Sequence, residues 1–211
     1  MTLENKSIEL GKNRIEALSD GIFAIVMTLL VLELKVTGLP QNASNVTLAP
    51  ALFHLWPEFL SYIVSFIGLG IYWVAHHYMY HVIKRSDRTL LWLNILFFMF
   101  VSLIPFSTNM INSFRQTQIA PLFFGANLTL IGWTLYLQWV YVSSKPDMLV
   151  DYITPEYKEA VKLRFMIIPV VATVAMLVCF WSVDILLVVY AALLPFYMIP
   201  VRITSHSPAA S

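Results

Sequence analysis

Arg14-Ile15-Glu16-Ala17-Leu18-Ser19-Asp20-Gly21-Ile22-Phe23-Ala24-Ile25-Val26-Met27-Thr28-Leu29-Leu30-Val31-Leu32-Glu33-Leu34 opens on charge and then runs on as one apolar stretch. Polar and apolar residues do not alternate in it, as they would in a barrel strand, so it reads as a helix entering a membrane. Ser19 and Asp20 fall where the chain enters the hydrocarbon. Two readings of them stand. They cap a helix N-terminus, satisfying free amides and opposing the dipole. Alternatively, Asp20 anchors a polar network between helices, because ionisable groups at membrane depth have partners. Beyond them, Ile25, Leu29 and Leu32 recur at spacings of four and three and share one helix face, with Thr28 beside it. Such a stripe is either ordinary packing or the lining of a pore whose apolar rings constrict and dewet.

The rest of the chain has the same character. Of its 211 residues, 59% are hydrophobic and 12% charged, and the mean hydropathy is +0.74. A soluble domain carries about a quarter charged residues. This chain has too few polar side chains to cover one water-facing core, so a polytopic membrane protein follows. The formal net charge of +1 excludes a nucleic-acid binder that relies on a basic face. The one cysteine, Cys179, cannot form an intrachain disulfide and is expected only to pack. Met1 to Glu16 is polar, of mixed charge and without a signal cleavage pattern, so the first hydrophobic run is expected to stay in the chain.

At roughly 20 apolar residues per crossing, six spans are predicted, at 18–34, 59–81, 90–110, 121–142, 165–181 and 185–203. Residues 1–211 then form a single all-α transmembrane domain. Trp56, Trp73, Trp92, Trp133, Trp139 and Trp181 lie mostly near span ends, as an aromatic belt does. Pro105, Pro169, Pro195 and Pro200 lie inside spans, where neighbouring helices tolerate a kink. With the N-terminus inside, every lysine and arginine except Lys35 and Arg115 falls on the cytoplasmic side. The positive-inside rule therefore puts both termini in the cytoplasm. The longest connections are 37–58 outside and 143–164 inside, and Pro155-Glu156-Tyr157-Lys158-Glu159 reads as a short amphipathic surface helix. Asn42-Ala43-Ser44 and Asn45-Val46-Thr47 match glycosylation sequons, a pattern common by chance in polar loops.

The second span carries Trp73-Val74-Ala75-His76-His77-Tyr78, followed by His81. His77 and His81, at i and i+4, could share a metal. No Asp, Glu or Cys in the run completes such a site, which favours a hydrogen-bonded structural histidine and no metal. On the six-span topology His76 and His77 reach the depth of Ser19 and Asp20, and Asn94 falls near it. Arg14, Ser19, Asp20, Trp73, His76, His77 and Asn94 are therefore expected to form one network between helices.

These segments resemble the signature of the endolysosomal potassium channel family and its bacterial homologues. That family has Arg, a three-residue gap, Phe-Ser-Asp-Gly and Phe-Ala-Ile, leading into Thr-Leu-Leu-Val-Leu. Here the pattern is Arg14, Leu18-Ser19-Asp20-Gly21, Phe23-Ala24-Ile25 and Thr28-Leu29-Leu30-Val31-Leu32, with Leu18 in place of the usual Phe. Trp73…His76-His77 and Asn94…Pro105-Phe106…Thr108 look like the family's second and third helices. The first half of the chain carries the likeness, and the second half matches through hydropathy alone.

The resemblance implies six helices per subunit and a homotetramer around a potassium pathway lined by the first helix, without a Thr-Val-Gly-Tyr-Gly filter loop. Carried over residue by residue, Ile25, Leu29 and Leu32 form the apolar constrictions, Ile25 nearest the cytoplasm. Thr28 adds a hydroxyl ring associated with selectivity, and Arg14, Ser19 and Asp20 hold the helix in place. The expected protein is a bacterial plasma-membrane channel, surrounded by lipid, with potassium as its permeant ion and no cofactor. Without a carbonyl cage, its selectivity over sodium is expected to be weak.

Two other functional classes fit the sequence less well. Coupled transporters place ionisable residues or broken helices at the midplane, whereas Asp20, Glu33, Glu58 and Asp184 sit at span ends. An intramembrane enzyme needs a nucleophile with an oriented base, and no deep carboxylate is present to orient an imidazole. A non-conducting structural subunit is consistent with the same chemistry.

Overall fold

The computed structural model describes residues 12–35, 44–114, 116–178, 188 and 192. Seven α-helices occur among them: α1 (Lys12–Leu30), α2 (Asn45–His54), α3 (Trp56–His81), α4 (Arg88–Ser102), α5 (Ile104–Ser113), α6 (Ile119–Ser143) and α7 (Pro155–Val178). Four segments are long and apolar enough to cross a membrane: α1 with the 3-10 turn that follows it, α3, α4 with α5, and α6. The sixth predicted span, 185–203, and Cys179 lie outside the described residues apart from Val188 and Ala192.

Four boundaries differ from the sequence reading, each for a local reason. Helix α1 starts at Lys12, so Ser19 and Asp20 lie about two turns inside it. They do not cap an N-terminus. The third span is broken at Leu103, because Pro105 has no N–H to return and its ring opposes the carbonyl four residues back. Leu103 N–H instead reaches Phe100 O at 3.2 Å, tightening the last turn of α4. The connection at 37–58 contains helix α2, whose residues lack the charge and the 3.6-residue polar pattern by which a surface helix is recognised. Pro155 to Glu159 is the first turn of α7, continuous with the helix that carries the predicted fifth span rather than separate from it. Proline at the first helical position starts that helix without losing a hydrogen bond.

The bundle is built around α6, which packs against α4, α5 and α7. Of the most apolar 18 residues of each helix, 56% are buried in α6 but only 28% in α1. Helix α1 therefore lies at the margin of the subunit. It buries one stripe, Ile15, Ser19, Phe23, Val26 and Leu30, at spacings of four, four, three and four. Leu30 and Phe97 are fully closed off, and the Phe23 and Phe97 rings lie 6.0 Å apart.

Hydrogen bonds fix which helix ends share a side. Lys12 Nζ donates to His81 O at 3.2 Å, joining the start of α1 to the end of α3. Lys84 N–H donates to Met148 O at 2.7 Å and Val150 N–H to Val82 O at 3.0 Å. These two bonds form a short antiparallel clasp between the α3–α4 and α6–α7 loops, with Ile83 opposite Leu149. Arg85 pairs with Asp147 beside it. Asp87 caps α4 by accepting Leu90 N–H at 2.9 Å, and its other oxygen receives the Tyr141 hydroxyl at 2.5 Å. At the far end, Asn109 donates to Glu33, and Ser61 Oγ donates to Asn112 Oδ1 at 2.5 Å. Lys84, Arg85, Arg88, Lys145 and Lys158 thus share one end of the bundle with Lys12, while Lys35 is at the other.

Candidate pore-lining helix and its support

Along α3, Ser61, Ser65, Tyr72, His76 and Tyr80 are buried at spacings of four, seven, four and four. One face of this helix is therefore polar and turned into the bundle. Lipid offers these groups no partner, so neighbouring helices supply them. Thr108 donates its hydroxyl to Ile104 O at 2.9 Å, which leaves its oxygen to accept Ser65 Oγ–H at 2.8 Å. Asn127 Nδ2 donates to Ser107 Oγ at 3.3 Å. Tyr72 donates to Leu128 O at 3.0 Å, and Tyr80 to Gln138 Oε1 at 3.4 Å.

His76 is the centre of the candidate network and is 1% exposed. Its Nε2 lies 2.8 Å from Asn94 Oδ1, an acceptor, and its Nδ1 lies 3.2 Å from Ser19 Oγ. The arrangement closes when Nε2–H donates to Asn94 and Nδ1 accepts the serine proton. One imidazole thereby ties α3 to both α1 and α4. Its ring stacks on Tyr80 at 4.3 Å and on Phe97 at 5.2 Å, so apolar surface holds it as well.

A second, exposed arm runs beside it. Trp73 Nε1–H donates to Asp20 Oδ1 at 2.8 Å, and His77 stacks on the Trp73 ring at 5.7 Å. The residues expected to form one network are thus gathered as two adjacent pieces, Ser19–His76–Asn94 and Asp20–Trp73–His77. Arg14, exposed on the first turns of α1, has no hydrogen bond or ion pair to either piece among the described residues. No group of three or more His, Cys, Asp or Glu among the described residues is placed to hold a metal ion.

The separation has a measurable consequence. Asp20→Ala removes one exposed acceptor and is expected to cost about 1 kcal/mol or less in unfolding of the detergent-solubilised protein. Asp20→Asn, which still accepts from Trp73 Nε1–H, is expected to match wild type. A loss of several kcal/mol in Asp20→Asn would mean that the charge itself holds the helices together.

The outer face of α1 is the other half of the site. Ile25 is 61% exposed, Leu29 42% and Leu32 62%, whereas Val26 and Leu30, between them in sequence, are buried. Thr28 is exposed on the same side. Its hydroxyl donates to Ala24 O at 3.0 Å or Ile25 O at 2.8 Å. With the proton turned to the backbone, the oxygen lone pairs are left as acceptors, the form in which a hydroxyl meets a cation. Gly21 leaves the same helix without a side chain one turn before Ile25, and beyond the helix's own backbone no atom of the described residues lies within 4 Å of where a Cβ would stand. Among the described residues, nothing covers this apolar, hydroxyl-bearing face.

Comparison with known proteins places the chain in a family. Residues 14–105 match the model of a family described as the endosomal/lysosomal potassium channel TMEM175. The chain is similar to a potassium channel of Chryseobacterium sp., with 35% identity over 161 residues, covering 74% of this chain and 80% of the relative. It is 36% identical over 112 residues to the mouse endosomal/lysosomal proton channel TMEM175, which is 51% of this chain but 22% of the mouse protein. The crystal structure of a lysosomal potassium-selective channel TMEM175 homolog from Chamaesiphon minutus superposes with a TM-score of 0.76 at 29% identity, over 89% of this chain and 96% of that one. The signature of α1, the helices that hold it and most of the length of the bacterial relatives are shared, and the chain belongs to the TMEM175 channel family.

Proposed function

We propose that the chain is the subunit of a potassium-permeable channel in the plasma membrane, with the exposed face of α1 lining the ion pathway of a homotetramer. The observation that carries this reading is the exposure of Ile25, Leu29 and Leu32 on a helix whose opposite stripe is buried. Four such faces around an axis make a closed ring with apolar constrictions about 10 Å apart from Ile25 to Leu32. Thr28 contributes four acceptor oxygens between them, the basis of a modest preference for potassium over sodium. Ser19, His76 and Asn94 set the rotation of α1, and Asp20, Trp73 and His77 brace its inner end. Arg14 sits at the cytoplasmic entry. Residues 1–211 form one channel domain of six spans, with both termini cytoplasmic; the basic end of the bundle supports that orientation.

The function is tested by reconstituting the purified protein in liposomes with a potassium gradient and comparing potassium with sodium flux. Uncoupled potassium flux, modestly faster than sodium flux, is the expected result. Strict coupling to a second ion would make the protein a transporter instead.

Topology is tested separately with single cysteines in a Cys179→Ser background. A cysteine at Thr117 is expected to react with an impermeant thiol reagent added outside. One at Asp151, whose side chain is 91% exposed at the basic end, is expected to react only after the inner face is opened. The opposite pattern would reverse the pore.

A further inference from the structure

The inward stripe of α1, Ile15, Ser19, Phe23, Val26 and Leu30, continues at the same helical spacing to Glu33, which is partly buried. An acid is disfavoured there on two counts. It stands on the face turned into a membrane bundle, where an ionisable group needs a partner. It also stands at the C-terminal end of a helix, where the dipole opposes negative charge. Helix α5 supplies the partner. Asn109 Nδ2–H donates to Glu33 Oε2, and Ser113 Oγ–H donates to Asn109 Oδ1 at 3.3 Å, which turns the amide nitrogen toward the carboxylate. A hydrogen bond to an ionised acceptor is about twice as strong as a neutral one.

The chain changes its winding at the same place. Helix α1 ends at Leu30, and Val31–Glu33 form a 3-10 turn closed by Leu34 N–H to Val31 O at 3.1 Å. At Leu34 the backbone is already extended, with φ −82° and ψ 99°. Residues three apart lie about 60° from one another around an α-helix but eclipse in a 3-10 helix. The tighter winding therefore carries Leu32 toward the line of Leu29, and both are exposed, while Glu33, the next residue, is held to α5. We propose that Asn109 is a positioning residue of the ion pathway: by holding Glu33 it keeps the last turn of α1 wound as 3-10 and sets Leu32 in line with Leu29 as the outermost apolar constriction. This rests on the reading, proposed above, that the exposed face of α1 lines the pathway.

The test has one readout that does not need conduction and one that does. Amide hydrogen exchange of the full-length protein in lipid nanodiscs reports on the turn. Asn109→Leu is expected to speed exchange at residues 31–35 about ten-fold, the loss of one charge-assisted hydrogen bond, with residues 22–30 unchanged. Asn109→Asp, a second variant should the first fail to fold, also removes the donor and is expected to do the same. Adding Glu33→Gln to Asn109→Asp rebuilds the bond with donor and acceptor exchanged, and is expected to restore slow exchange. In liposomes, Asn109→Leu is expected to raise potassium flux about three-fold, half the barrier change of a tenfold effect. In a Leu32→Ala background, where the constriction is already gone, it is expected to add nothing. Unchanged exchange at residues 31–35 in both single variants would overturn the proposal, and so would a double variant that fails to restore it. If exchange speeds up but flux does not change, while Ile25→Asn still raises flux, Asn109 winds the turn without positioning the constriction. That result overturns the proposal and leaves the pathway reading standing. If neither Ile25→Asn nor Leu32→Ala alters flux, the pathway reading falls and the proposal falls with it.

Discussion

Ile25→Asn is expected to raise potassium flux about tenfold in liposomes, the change produced by taking about 1.4 kcal/mol off a barrier. In the proposed pore an apolar ring at Ile25 would stall a hydrated cation, because it removes water without offering oxygens in return. Asparagine on that 61% exposed position puts amide oxygens into the ring and wets it. Leu29→Ser is expected to act in the same direction. Both substitutions are expected to leave discrimination between potassium and sodium unchanged or reduced. Thr28→Ala is expected to lower that discrimination with less effect on total flux, since it removes the acceptor oxygens and no apolar bulk. The comparison position must be exposed and apolar but away from α1, and Leu137 on α6, 46% exposed, meets both conditions. Leu30 does not, because it is fully buried and a polar group there would report on packing. If Leu137→Asn changes flux as much as Ile25→Asn at equal protein levels, α1 does not line the pathway.

His76→Ala is expected to be the most destabilising single change in the described bundle, by about 3–5 kcal/mol for a large buried ring removed from a stacked site. The substitution leaves a cavity between Tyr80 and Phe97 and strands Ser19 and Asn94 without their shared partner. His76→Phe separates the two costs. It refills the volume and keeps the stacking, so what remains is the penalty for two buried polar groups left unpaired, about 1–3 kcal/mol each. Adding Ser19→Ala and Asn94→Leu to His76→Phe is expected to recover most of that second loss, since an apolar trio has nothing left to satisfy. Unfolding of the detergent-solubilised protein, followed by tryptophan fluorescence, reads all of these. A His76→Ala protein within about 1 kcal/mol of wild type would show that the imidazole does not join the helices.

Four of the predicted spans and the exposed face of α1 were legible because hydrophobic length and a 3.6-residue period are local properties. Ile25, Leu29 and Leu32 point the same way whatever surrounds them. Partner choice is not local. The spacing that set Ser19, Asp20, His76, His77 and Asn94 at one depth did not say that His76 faces inward and His77 outward. Adjacent residues on a helix differ by about 100° in direction, and the buried one is decided by what α4 presents. Arg14 had the charge for a partnership with Asp20 but lies two turns earlier on the same helix. The helix at Asn45–His54 escaped notice because its apolar residues are uncharged and follow no period, and the break at Leu103 because Pro105 within a span was read as a kink. Ser61, Ser65, Tyr72, His76 and Tyr80 fall at helical intervals through an otherwise apolar run, which marks the inward face of α3.

The clasp between Val82–Lys84 and Met148–Val150 bears on the order in which the protein is made. Its two edges are separated by all of α4, α5 and α6, so the ribosome must extend the chain through Met148 before the first bond can form and through Val150 before the second. Until then the first edge has no second edge to meet, although α1 and α3 have already been synthesised and inserted. A nascent chain halted before Met148 therefore carries an open backbone edge at the basic end of the bundle, available to whatever holds an unfinished membrane protein. Closing that edge is a late event of biogenesis, and it marks the moment when the portion of the chain bearing α1 is locked to the portion made after it.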